Sequence, residues 1–231
     1  AYQAVHGSGA FQQDGPNLSL RALASLYPEP LHVLVRADGP ASVRELQGKQ
    51  VSLGPQGSAS RATAEAVLSA YGWSASDLAN SAELELPAAL AALRDGQIDA
   101  VLQVIGTPAD TISAASDALD LRLLALEPQI ISEVQRTRPG TFAFDLAVGS
   151  YPRQTQVVST LAVSSLLLSE HTLTNREAEQ LLNVLFESGQ QWLQLGSVQG
   201  TQLSASQKVR DLGIPLHEGA AHALQNSGST P

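Results

Sequence analysis

No cysteine occurs in the 231 residues. That excludes a disulfide scaffold, a thiol nucleophile and cysteine-ligated zinc. Methionine is also absent, position 1 included, so the chain reads as a processed product or an excised piece. Basic residues are few, 13 Lys and Arg against 22 Asp and Glu, for a formal net charge of −9. Counterion-release binding to nucleic acid needs a basic face, so no nucleic-acid partner is expected. Anionic lipid surfaces are disfavoured for the same reason. Long apolar runs are missing as well. The best candidate, residues 157–168, is broken by Ser159, Thr160, Ser164 and Ser165 and falls short of the roughly 20 residues a membrane helix needs. No direct membrane span is expected. The N-terminus lacks a charged region followed by an apolar core, so the segment is not expected to be a signal peptide, though one could have been removed.

Catalytic signatures are equally scarce. The five histidines, His6, His32, His171, His217 and His222, form no i, i+4 pair and no H-E-x-x-H. No G-x-S-x-G elbow occurs. The expectation is a non-enzyme with no metal site and no cofactor.

What is present is a core-forming composition, 43% apolar and 15% charged, enough for one large or two small domains. Glycine and proline punctuate runs that alternate between strand-like and helix-like. Residues 31–36 (LHVLVR) read as a strand bounded by Pro30. Ser42 to Glu45 and Ser74 to Asp77 have capping-box spacing. Residues 50–53, 83–86, 98–105 and 121–126 read as strands, and 61–71 and 87–95 as helices. The order over 50–126 is β-α-β-α-β-α-β, which predicts a parallel sheet with covering helices. Residues 128–138 read as a helix, and 142–148 and 157–168 as strands. Thr174 and Glu177 open a helix in which Ala178, Leu181, Leu182, Leu185 and Phe186 share one face, expected to be buried.

Three segments carry candidate binding chemistry. In 51–61 a strand leads through a small-residue loop into a helix start, where free amides and the macrodipole favour an anion. Gly57 permits the loop, Ser58 and Ser60 offer hydroxyls, and Arg61 offers a guanidinium fork suited to a carboxylate. The spacing is neither a P-loop nor a dinucleotide fingerprint. Ser60 is equally placed to be a plain N-cap and Arg61 a solvated residue. The second segment runs from Gln103 through Gly106, Thr107 and Pro108. It follows an apolar strand, where open α/β sheets bind ligands, and Thr107 is expected to cap a helix with proline at its first position. The third is the turn Gly149-Ser150-Tyr151-Pro152, which could present Tyr151 to a cleft.

At these motifs the chain resembles the TAXI group of periplasmic solute-binding proteins, which serve TRAP-type secondary transporters. The matching words are Leu53-Gly54-Pro55-Gln56-Gly57-Ser58-Ala59-Ser60-Arg61-Ala62-Thr63-Ala64, Leu93-Arg94-Asp95-Gly96-Gln97-Ile98-Asp99-Ala100, Gly106-Thr107-Pro108, Gly149-Ser150-Tyr151-Pro152 and Gly213-Ile214-Pro215-Leu216-His217-Glu218-Gly219-Ala220-Ala221. Two residues depart from the pattern: Ala59 stands where the family usually has glycine, and Arg153 where it often has one. The family also carries about 70 residues ahead of the segment that opens this chain, including the first βαβ unit.

The resemblance implies an α/β, two-lobed, periplasmic-binding-protein-like (type II) fold with an incomplete first lobe. Residues 1–40 and 157–231 would form what remains of that lobe, and 41–156 the second lobe. It further implies an extracytoplasmic, periplasmic protein that captures a small anionic solute, a glutamate-like amino acid or dicarboxylate, and delivers it to a TRAP-type membrane permease. Gly57, Ser58, Ser60, Arg61, Gln103, Gly106, Thr107 and Tyr151 would bind the ligand. The competing reading is a sensing or interaction domain on the same fold that has lost transport.

Overall fold

A computed structural model describes residues 1–187, 189–194, 199–203 and 213–227. In chain order the elements are α1 (Tyr2–His6), β1 (Leu20–Arg36), β2 (Gln50–Ser52), α2 (Ala59–Ala70), β3 (Asn80–Ala82), α3 (Leu86–Arg94), β4 (Ala100–Val104), α4 (Asp110–Ala118) and β5 (Leu121–Leu123). They continue as α5 (Pro128–Thr137), β6 (Phe142–Leu146), β7 (Val158–Glu170), α6 (Asn175–Glu187), α7 (Gly189–Gln194) and α8 (Glu218–Ser227). This is a mixed α/β architecture, divided into two compact units: residues 1–28 with 164–231, and residues 29–163.

In the unit 29–163 the strands lie in the order β3-β2-β4-β1-β7-β6, and β5 also pairs with β1. β2 runs parallel to both β3 and β4. β1 runs antiparallel to β4 and to β5. The all-parallel sheet expected over 50–126 is therefore realised only in β3-β2-β4. The αβ rhythm was read correctly, but β1 inserts beside β4 and reverses the local polarity. The strand expected at 83–86 lies instead at Asn80–Ala82, because Leu86 and Pro87 already open α3.

Strand alternation sends side chains to opposite faces, and each face is covered. Leu31, Val33 and Val35 of β1 join Leu102 and Val104 of β4, Val67 and Leu68 of α2, and Ile130, Ile131 and Val134 of α5. On the other face Leu34 and Val101 pack with Leu90 and Leu93 of α3, Ile112 of α4 and Tyr151. Residues 31–35 thus share a core with Val51 and Leu53, whereas the sequence predicts 1–40 apart from the segment 41–156. The antiparallel register Leu31↔Val104 through Val35↔Ala100 is the physical reason: five residues of β1 complete the β4 ladder.

β1 extends well beyond the expected 31–36. Pro28 and Pro30 lie inside it, where their fixed φ is compatible with extended backbone. In the unit 1–28 with 164–231, Leu23 and Ala24 pack against Ala178 and Leu182 of α6 and Ala220 and Ala223 of α8. The two helices approach closely at Gly219, where a Cβ would meet the Asn175 carbonyl oxygen. The capping box at Thr174 forms: the Glu177 carboxylate accepts from the Thr174 amide at 2.9 Å, and the Thr174 hydroxyl accepts from the Glu177 amide at 3.3 Å. The apolar face of α6 is only partly covered. Ala178 and Leu182 are buried, but Leu181 is 50% and Val184 65% exposed.

Candidate functional site

All eight candidate residues belong to the unit 29–163. They sit on the loop after β2 and the first turn of α2, on the end of β4 and the loop that follows it, and on the turn before β7. The first loop needs glycine at Gly54. Its φ is +86°, and a Cβ there would lie 2.8 Å from that of Ser60. Gly57, at φ +76°, lies in open space and serves the turn alone.

Ser58, not Ser60, is the N-cap of α2: its hydroxyl oxygen accepts from the Arg61 amide at 3.0 Å. Ser60 lies one position inside the helix, and its Oγ accepts from the Val104 amide at 3.0 Å. That bond ties the first loop to the end of β4 and satisfies a buried N–H beyond the strand ladder. Each hydroxyl accepts in these bonds and keeps its own proton as a donor.

Arg61 is not a solvated first-turn residue. Its side chain is 10% exposed, with Nε 2.6 Å from Glu65 and Nη1 3.5 Å from Glu83. Glu83 also accepts from Gln56 at 2.6 Å. The guanidinium is thus held by two half-exposed carboxylates. Neither was singled out in the sequence, although Glu65 stands at the i+4 spacing of a helical ion pair.

Gln103 turns back on the main chain, donating to the Val104 carbonyl at 3.0 Å. Gly106 and Thr107 are buried. The expected cap at Thr107 is displaced: Ala109 is the N-cap residue of α4, and the helix starts at Asp110. The Thr107–Pro108 peptide is cis, and Pro108 lies two residues ahead of the first helical position rather than at it.

Tyr151 is buried, not displayed on the surface, with 4% exposure. Its hydroxyl oxygen accepts from the Ala109 amide at 3.2 Å and lies 2.8 Å from His32 Nε2. His32 Nδ1 is 3.0 Å from the Pro30 carbonyl, which can only accept. Nδ1 therefore carries the proton, Nε2 accepts, and Tyr151 donates to it. Burial pulls the His32 imidazole down from 6.5 to about 4, against the Pro30 and Gln103 carbonyls, which favour the charged form. Burial also raises the Tyr151 hydroxyl, while hydrogen bonds from Thr107 and Ala109 lower it. Both groups are neutral at pH 7. His32 was not among the expected site residues. Its signal was a lone polar position inside an apolar strand, which must find a buried partner.

Among the described residues no cluster of three or more His, Cys, Asp or Glu could hold a metal. No described helix is long and apolar enough to cross a membrane.

Comparison with known proteins assigns the chain to a family. Residues 1–228 match the NMT1-like family, and the chain belongs to it. Among solved structures it is similar to the periplasmic aliphatic sulphonate binding protein SsuA from Escherichia coli, with 17% identity, a TM-score of 0.40, and coverage of 92% of this chain and 56% of that one. A sulfonate-binding protein from Methylobacillus flagellatus gives 13% identity, a TM-score of 0.47, and coverage of 92% and 63%. A periplasmic binding protein from Brucella ovis with glutathione bound gives 13% identity, a TM-score of 0.41, and coverage of 90% and 59%. The chain thus spans between about half and two thirds of the length of these proteins.

Proposed function

We propose that the chain is an extracytoplasmic solute-binding protein, not an enzyme, that captures a small carboxylate for a TRAP-type secondary transporter. The observation that carries the reading is the convergence of two loops at the carboxyl ends of β2 and β4, joined by the Ser60–Val104 bond. Ligands of open α/β sheets bind at that edge. Under this reading the amides after Gly57 and the protons of the Ser58 and Ser60 hydroxyls receive the carboxylate, with Arg61 as the cation. Gln103, Gly106, Thr107 and Tyr151 belong to the second loop and its support. Arg61 already holds Glu65 and Glu83, so ligand binding exchanges one carboxylate for another rather than filling an unpaired charge. That exchange favours a ligand with an ammonium group for the released glutamate, and a glutamate-like amino acid fits it. The unit division at 28/29 and 163/164 is read as the lobe division of such a protein.

The test is titration calorimetry with glutamate, glutamine, 2-oxoglutarate and succinate. Binding of glutamate above succinate supports the reading. Absence of binding by all four overturns it.

A further inference from the structure

The unit 29–163 contains a cavity of about 360 Å³ that shares only Tyr151 with the candidate loop site. Leu34, Ile112, Leu123 and Val158 give it apolar walls, and Arg122, Arg153 and Asp120 give it charge. Its volume falls in the lower part of the range of small-molecule pockets, which are mostly apolar with a few placed polar groups. The Tyr151 ring forms part of the wall, but the charged groups come from β5 and the turn before β7.

The two guanidinium groups decide the chemistry. Arg153 donates from Nη1 to the Ser116 carbonyl and to Asp120, both at 3.2 Å. Both bonds leave from one end of the group, so the opposite edge, Nε with Nη2, remains for a further partner. That edge forms a bidentate fork with a carboxylate elsewhere in this chain: Arg44 Nε and Nη2 each lie 2.7 Å from Glu127. Arg122 spends Nη2 on the Gly39 and Pro40 carbonyls at 2.8 and 2.7 Å. Its Nε is buried with no hydrogen-bond partner among the described residues. Against these two cations stands one carboxylate, Asp120, so the lining carries net positive charge in a chain of net −9.

Arg153 is also the described non-glycine residue held at positive φ, +62°. The side chain is therefore present at a backbone site that favours having none.

We propose that this cavity binds a small amphipathic monoanion, a short-chain alkyl carboxylate, with its headgroup on the free edge of Arg153 beside Arg122. Its alkyl chain lies against Leu34, Ile112 and Val158. The proposal is independent of the loop site and of any transport role.

The test is calorimetry with hexanoate, hexanol and hexylammonium as probes. Hexanoate binds, hexanol binds at least about tenfold more weakly for want of a charge-assisted fork, and hexylammonium does not bind. Arg153→Gly suits the left-handed backbone, so the fold is retained, and it weakens hexanoate about tenfold. Ala125→Trp, at an exposed lining position, closes the cavity and abolishes binding, with thermal melting confirming that both variants fold. Saturating glutamate leaves hexanoate affinity unchanged. The proposal is overturned if hexanoate gives no binding, if hexanol or hexylammonium matches it, if Arg153→Gly binds equally well, or if glutamate displaces it.

Discussion

Tyr151 donates a 2.8 Å hydrogen bond to His32 across 119 positions of sequence, with the two rings edge to face at 76°. The bond joins the turn before β7 to the middle of β1. The same hydroxyl holds the first amide group before α4. One phenol thus fixes the second candidate loop from below.

Acid sensitivity follows from that bond. His32 is fully buried, and its pKa of about 4 lies below the ordinary 6.5. Between those values the unfolded chain binds the extra proton, so stability is full above pH 6.5 and falls as pH drops toward 4. The loss reaches about 3 kcal/mol at the lower end. Glu29, whose carboxyl burial raises, acts in the opposite sense, since its protonated form is favoured in the folded state. Urea denaturation from pH 7 to 4 checks this by comparison: His32→Gln flattens the part of the profile that His32 supplies.

Arg61→Ala lowers affinity for the preferred carboxylate by about tenfold to a hundredfold, the worth of one charge-assisted bond. Stability falls by only about 1 kcal/mol, because Glu65 and Glu83 are half exposed and regain water. Calorimetry and thermal melting on the same sample separate the two effects. Unchanged affinity would reduce Arg61 to a structural partner of the two glutamates.

Ser60→Ala leaves the buried Val104 amide without its acceptor. The expected cost is about 1–3 kcal/mol. Ser60→Thr keeps the oxygen and retains more of that stability. Chemical denaturation of the pair tests the assignment, and equal losses would contradict it.

At position 153 glycine and alanine part ways. Both delete the guanidinium, but only glycine relieves the left-handed strain. Arg153→Gly is therefore more stable than Arg153→Ala by about 1 kcal/mol. Paired thermal melts read the difference directly.

The sequence made the local grammar of the helices readable. Gly72 and Gly96 stop α2 and α3 at positive φ, as glycine does beyond a helix end. The boxes at Ser74 and Thr174 form as spaced. Pairing partners were less legible. Nothing local to 31–36 says that the strand joins β4 antiparallel, because register is settled by contacts far along the chain. The loop at 54–61 could be recognised from composition, but the role of each serine could not. Ser58 and Ser60 differ by two positions, and which one caps depends on where the first turn closes. The pairings of Arg61 with Glu83, 22 residues away, and of His32 with Tyr151, 119 away, leave no local trace.

The division of the chain sets an order of synthesis. Residues 29–163 are one uninterrupted stretch, while the other unit is built from 1–28 and 164–231. During synthesis the inner stretch is complete before the second half of its companion exists. Leu23 and Ala24 must wait for Ala178, Leu182 and Ala220 to emerge. Unit 29–163 is therefore finished on the ribosome while the last partners of Leu23 and Ala24 are still to be made.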